Sequence, residues 1–157
     1  MLIHQLYAAA ARNNPDKTAF VCGNQAVTYR RLAANAELYA RTLLGLGLRP
    51  GDRAAFLMGN IPEIIEMYMA CSRAGIIAVP VSCYSRPAEI VYALNHCGAR
   101  LILAGRELAQ TARAAQPHIP SLTAIYTVDD PADPWQQAAR SAPATRCPKS
   151  ANSRPAS

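Results

Sequence analysis

Arg86 is the charged residue whose position best suits it to meet a ligand. It follows the apolar run from Ile76 to Val81, and such a run is typical of a strand that is covered on both faces in a parallel sheet. Ligands of open α/β sheets bind beyond the carboxyl ends of the strands, where a cation can meet a phosphate. Arg86 is therefore a candidate phosphate contact; an exposed surface arginine is the alternative interpretation.

The other titratable residues do not form a catalytic group in the sequence. Glu63 and Glu66 share one face of a predicted helix, but that face lies opposite the isoleucine stripe, so we expect a solvated face rather than an acid–base pair. His4, His96 and His118 are isolated, and no Ser-His-Asp or Cys-His spacing accompanies them. His96 is better explained as a favourable charge at a helix end or as a packed side chain. We predict no catalytic residue and no metal ligand.

The glycines are placed as helix stops rather than as a phosphate cradle. The run from Gly45 to Gly51 contains three glycines, but it follows a predicted helix and precedes a predicted strand. A dinucleotide loop requires the reverse order, because its amides and the helix N-terminus must face the pyrophosphate. No glycine occurs after Gly105, which excludes a glycine-rich phosphate loop from the last third of the chain.

Composition indicates one soluble globular domain. The 157 residues are 51% hydrophobic and 17% charged, with a mean hydropathy of zero and a net charge of +6. Thirteen of the 16 basic residues and all ten acidic residues lie in residues 1–140. The predicted folded part is thus nearly balanced in charge, which argues against a nucleic-acid partner, since binding to phosphates needs clustered cations.

Cysteine usage and the N-terminus predict a cytoplasmic protein. The five cysteines are widely spaced, with no CxxC pair, so neither a disulfide framework nor a zinc site is expected. The first residues lack the basic start and apolar run of an export signal. No uncharged apolar stretch approaches the roughly 20 residues that span a bilayer.

Strands and helices alternate between residues 53 and 128. Predicted strands cover Thr18–Cys22, Gln25–Val27, Arg53–Met58, Ile76–Val81, Arg100–Ala104 and Thr123–Val128. Predicted helices begin at Leu2, Thr28, Asn60, Ser85 and Glu107, where Thr28, Asn60 and Ser85 are the expected caps. The alternation predicts an α/β fold that is built from parallel-sheet βαβ units.

The pattern is lost after Asp133. Residues 141–157 contain no Leu, Ile, Val, Met, Phe, Trp or Tyr, and such a segment cannot bury enough apolar area to offset its ordering entropy. We therefore place a domain at 1–133 and predict that 134–157 is a disordered tail. The abrupt change suggests a frameshift or a prematurely ended gene.

Six segments occur in the order found in one enzyme superfamily. They are Asn14–Phe20, Val27–Leu32, Gly47–Ala55, Asn60–Glu63, Ser72–Val81 and Pro87–Arg100. Together they resemble the N-terminal part of the adenylate-forming, AMP-dependent acyl-CoA synthetases, and most closely the fatty acyl-CoA ligase branch. The resemblance covers about residues 2–130.

The resemblance implies a two-step reaction in which a carboxylate and ATP give an acyl-adenylate, and CoA then displaces AMP. It implies ATP, Mg²⁺ and CoA as cofactors of the full-length enzyme and a fatty or other carboxylic acid as its substrate. The family's phosphate loop, its aromatic-Gly-x-Thr-Glu motif, its ribose-binding Asp and its catalytic lysine are absent here. We therefore expect this chain to be inactive alone and to bind none of these cofactors tightly.

Relatives often carry an arginine that contacts the CoA phosphate near the end of this strand. That place falls on Tyr84 here, and Arg86 follows two residues later, so Arg86 is the candidate CoA contact. Two further hypotheses remain: the chain is one half of a split enzyme, or it is a non-catalytic interaction module that associates with a synthetase.

Overall fold

A computed structural model describes residues 3–143 of the chain. The helices are α1 (Ile3–Asn13), α2 (Tyr29–Gly45), α3 (Pro62–Ala74), α4 (Pro87–Cys97), α5 (Ala109–Ala115) and α6 (Pro134–Ser141). The strands are β1 (Thr18–Cys22), β2 (Gln25–Thr28), β3 (Arg53–Leu57), β4 (Ile77–Pro80), β5 (Leu101–Ala104) and β6 (Ala124–Thr127). Short 3₁₀ turns precede and follow α5.

Strands β3 to β6 form one parallel sheet in the order β4-β3-β5-β6. Strand β3 is central and pairs in register with both neighbours, Ala54 lying beside Ala78 on one side and Leu101 on the other. All four residues of β5 are buried, as expected for a strand covered on both faces. The α/β class and the parallel sheet predicted from the sequence are confirmed.

The free edge of β4 is interrupted by proline. The amides of Ile77 and Val81 donate to carbonyls of the β3 segment, so the intervening Pro80 turns its nitrogen away from β3. A proline nitrogen carries no hydrogen to donate, which is why proline within sheets is confined to edges, strand starts and bulges.

A helix and a hairpin precede the sheet. Strands β1 and β2 pair antiparallel around a turn at Gly23, whose φ of +56° suits glycine. Thr28 caps α2 as predicted, since its hydroxyl accepts a hydrogen bond from the amide of Arg31 at 3.3 Å. The apolar core of this region is formed by the buried Tyr7, Val27, Leu32 and Ala36.

Two predicted caps are wrong. Helix α3 begins after Ile61, with Pro62 in its first turn, and Asn60 makes no side-chain cap. Helix α4 begins after Arg86 rather than after Ser85, and the Glu89 carboxylate accepts the Arg86 amide at 2.7 Å. In both cases a proline at the first helical position moves the cap to the residue directly before it.

Different helices cover the two faces of the parallel sheet. We call the side covered by α2, α3 and α6 the aromatic layer; its ring contacts join Phe56 to Tyr68 and Trp135 to Tyr39 and Tyr126. We call the side covered by α4 and α5 the aliphatic layer. Its largest buried residues are Leu57, Ile90, Leu94, Ile102 and Ile119.

The predicted disorder of 134–157 is wrong for its first part. Residues 134–141 form α6, which Asp133 caps by accepting the Trp135 amide at 2.9 Å. Trp135 is wholly buried and contacts Tyr39 and Tyr126. One indole buries enough apolar surface to anchor a short helix that the average composition does not favour. Residues 144–157 of the predicted tail lie outside the described residues.

Candidate functional site

A pocket of about 590 Å³ lies at the carboxyl edge of the parallel sheet. The segment after β3 contributes Met58 to Ile61, the loop after β4 contributes Cys83 and Tyr84, and Gly105 to Leu108 follow β5. Asp129 follows β6 and closes the lining. This carboxyl-edge pocket occupies the position where open α/β sheets bind ligands.

Gly105 allows the β5 end to approach the β3 end. A Cβ at Gly105 would lie 3.3 Å from the Cβ of Met58, which is tighter than ordinary contact. Glycine therefore lets the next residue, Arg106, enter the pocket wall directly beyond the strand.

Arg106 is the cation of the carboxyl-edge pocket, and it is held by acidic residues. Its amide donates to a carboxylate oxygen of Asp129 at 2.7 Å, and its guanidinium donates to the Asp129 carbonyl at 2.9 Å. A carboxylate oxygen of Asp130 lies 3.9 Å from the same guanidinium. These contacts hold the Arg106 side chain in place, and the nearby carboxylates partly neutralise its positive charge.

Sequence reasoning missed Arg106, although it selected Arg86 by the same rule. Both arginines follow an apolar run, Arg86 five residues after Val81 and Arg106 two residues after Ala104. Arg86 is exposed at the start of α4 and does not line the pocket, whereas Tyr84, which is 93% exposed, does. The signal that could have identified Arg106 was its position two residues beyond the apolar run that ends at Ala104.

The predicted solvated face of Glu63 and Glu66 is wrong for Glu66. Its side chain is fully buried between α3 and α2, where one carboxylate oxygen accepts a hydrogen bond from the Asn35 amide at 2.7 Å. The Arg31 Nε lies 3.7 Å from the same oxygen. Burial raises the pKa of Glu66, opposed by Asn35 and Arg31.

Histidine 4 is paired in space although it is isolated in sequence. Its Nδ1 lies 3.3 Å from the Ser72 hydroxyl oxygen, and its backbone amide donates a hydrogen bond to the same oxygen at 3.4 Å. Burial and then the charge of Arg73 lower the pKa of His4. This contact joins α1 to α3. His96 is exposed on α4 and stacks on Tyr92.

The residues of the carboxyl-edge pocket do not by themselves form a nucleotide site. A triphosphate needs unopposed cations or several converging backbone amides, and the pocket offers one arginine that faces Asp129 and Asp130. Within residues 3–143, no three His, Cys, Asp or Glu side chains gather in a way that could hold a metal ion. The same part of the chain contains no helix that is both long and apolar enough to cross a membrane.

Comparison with known proteins identifies one family. The model of the family described as AMP-binding enzyme matches residues 7–156, which extends past the boundary predicted at 133. A feruloyl-CoA synthase from Amycolatopsis sp. is 36% identical over 104 residues, or 66% of this chain and 21% of its own length. The medium-chain fatty-acid–CoA ligase of Escherichia coli K12 is 35% identical over 125 residues, or 76% of this chain and 22% of its own.

A solved structure shares the fold. The N-terminal domain of FACL13 from Mycobacterium tuberculosis superposes with a TM-score of 0.84 at 24% identity, covering 96% of this chain and 38% of that one. The chain spans about a fifth of the length of the two curated relatives.

Proposed function

Because the chain belongs to the AMP-binding enzyme family, we propose that it forms the N-terminal α/β part of an acyl-CoA ligase. The whole enzyme activates a carboxylic acid, in our proposal a fatty acid, as an acyl-adenylate and passes the acyl group to the thiol of CoA. Its cofactors are ATP, Mg²⁺ and CoA, and its compartment is the cytoplasm. Similarity to CoA ligases of aromatic and fatty acids supports this assignment.

In this proposal the 157 residues supply a scaffold rather than the reacting groups. The observation that carries this view is the carboxyl-edge pocket, whose cation is already bound to Asp129. The sequence also lacks a glycine-rich loop that could place several amides around a phosphate. The chain alone therefore does not form an acyl-adenylate.

Pyrophosphate exchange tests the proposal, because it reports adenylate formation without CoA. The purified chain is incubated with ATP, Mg²⁺, labelled pyrophosphate and fatty acids of several lengths, and the full-length E. coli ligase serves as positive control. We expect acid-dependent exchange only from the control. Exchange by the 157-residue chain that requires the fatty acid would overturn the scaffold assignment.

The split-enzyme hypothesis makes a different prediction in the same assay. Exposed apolar residues on α1 and β4, such as Ile3 (60% exposed) and Ile77 (46%), favour a further contact on these faces. A chain carrying the C-terminal four-fifths of the E. coli ligase is added in excess. Recovered exchange supports a split-enzyme half, whereas binding without activity supports an interaction module.

Arg86 is tested in whichever preparation is active. We propose that it contacts a phosphate of CoA, so Arg86→Ala raises the KM for CoA several-fold and leaves the adenylation half-reaction unchanged. Arg53→Ala is the matched control, because Arg53 is an exposed arginine at the amino end of β3, at the opposite edge of the sheet from the pocket. Equal KM values for CoA in wild type and Arg86→Ala would remove Arg86 from the site.

A further inference from the structure

Glu66 is a buried acid whose carboxylate is only half satisfied. One oxygen accepts from Asn35 at 2.7 Å, while the other is buried and has no hydrogen-bond partner. A fully charged carboxylate requires several donors when it leaves water. The contact at the α2–α3 interface therefore suits a neutral carboxyl better than an ionised one.

The charges that act on Glu66 do not compensate for its burial. Helix α2 contributes Arg31, whose side chain is 45% exposed and therefore screened by solvent, and Tyr39, which is partly buried. Glu63, one turn earlier on α3, adds a like charge that raises the pKa of Glu66 further. On α1, the buried His4 contacts Ser72 of α3.

Helix α3 connects this acid to the carboxyl-edge pocket. The helix begins at Pro62, directly after the Gly59–Ile61 segment that lines the pocket. Its other side packs on the sheet through Met67, Ala70 and Cys71. A change in how α3 sits on α2 therefore moves one wall of the pocket.

We propose that Glu66 is a proton-controlled latch between α2 and α3. The neutral carboxyl keeps α3 seated against α2, and release of its proton to solvent leaves an underpaired carboxylate that loosens the helix and the pocket wall. The latch depends only on contacts within the described chain, so it does not rest on the proposed ligase activity.

The direction of the pH effect follows from linkage. The pKa of Glu66 is raised in the folded chain above its ordinary value of 4.5, so the folded state holds the proton more tightly than the unfolded state. The contribution of Glu66 to stability is therefore complete below about pH 4.5 and is lost as the pH rises through the folded-state pKa.

Cys71 reports the position of α3. It is 1% exposed in the core beneath the helix, and burial raises the pKa of its thiol to about 12, so it reacts only when α3 opens. The 157-residue chain is treated with dithiodipyridine from pH 5 to 8, and labelled peptides are identified by mass. Cys97, partly buried on α4, is the internal reference.

We expect Cys71 labelling, relative to Cys97, to be several-fold faster in wild type than in Glu66→Gln at pH 8, because only the wild-type side chain can lose a proton when α3 opens. This difference between the two proteins should shrink as the pH falls towards 4.5. Arg31→Gln removes the cation beside Glu66. At pH 8 its Cys71 should therefore be labelled faster than Cys71 of wild type, again relative to Cys97. Glu63→Gln is the matched control and should keep most of the wild-type pH dependence.

Two results would overturn the latch. One is the same ratio of Cys71 to Cys97 labelling in wild type and Glu66→Gln at every pH. The other is an unfolding free energy, measured in urea, whose pH dependence between 5 and 8 is unchanged by Glu66→Gln. A purely structural role for Glu66 would change stability equally at all pH values.

Discussion

The aromatic and aliphatic layers bury comparable elements of the fold by different means. The aliphatic layer packs branched and small side chains, such as Ile90, Leu94 and Ala112, against the sheet. The aromatic layer packs rings, and its helices also hold buried polar atoms without a hydrogen-bond partner, among them Glu66 Oε2 and Trp135 Nε1. The spacing of apolar residues in the sequence therefore accounts well for the aliphatic layer, whereas the packing of the aromatic layer depends on individual side chains.

Truncating Trp135 is the strongest way to break the aromatic layer. Trp135→Ala removes the ring that contacts Tyr39 and Tyr126, and we expect a loss of about 4 kcal/mol in unfolding free energy in urea. Trp135→Phe keeps a ring and removes the unpartnered N–H, so it should cost far less. Equal losses for the two variants would mean that ring packing does not hold α6.

The matched change in the aliphatic layer is Leu94→Ala. Leu94 is 1% exposed in the middle of that layer, and we expect a loss of about 3 kcal/mol from lost transfer energy and the cavity left behind. Leu94→Met preserves volume and should cost under about 1.5 kcal/mol. A loss larger than that of Trp135→Ala would reverse the ranking of the two layers.

A smaller effect is expected where α2 begins, outside the contacts of either layer. Thr28→Ala removes the oxygen that accepts the Arg31 amide, and should cost about 1 kcal/mol in the same urea measurement. Thr28→Ser retains the oxygen and serves as control. If both variants lose the same amount, the threonine methyl rather than the cap is responsible.

The sequence predicted where helices and strands lie better than it predicted which face of each helix is buried. Ile90 and Leu94 were placed on the inner face of α4 correctly, because that helix packs on one side only. We predicted an exposed Glu66 because the sequence of α3 shows a single apolar stripe. In the structure α2 covers the opposite face of that helix and buries Glu66. A periodicity cannot show that a second helix lies on the polar face.

The remaining differences have equally local causes. Averaging composition over 134–157 concealed Trp135, a single side chain whose contacts anchor α6. The sequence pointed to Arg86, beyond the end of one strand, whereas the arginine that lines the carboxyl-edge pocket is Arg106, next to the close approach at Gly105. Such an approach depends on how strands align and is not visible along the chain.

The central position of β3 has a consequence for synthesis on the ribosome. Of the four strands described in this sheet it emerges first, and β4, which follows it in sequence, can pair with one of its edges early. The other edge stays open until β5 emerges, and β6 then adds to β5. During that interval the apolar segment Ala54–Leu57 is exposed on one side, which makes it the stretch most in need of chaperone protection while the chain grows.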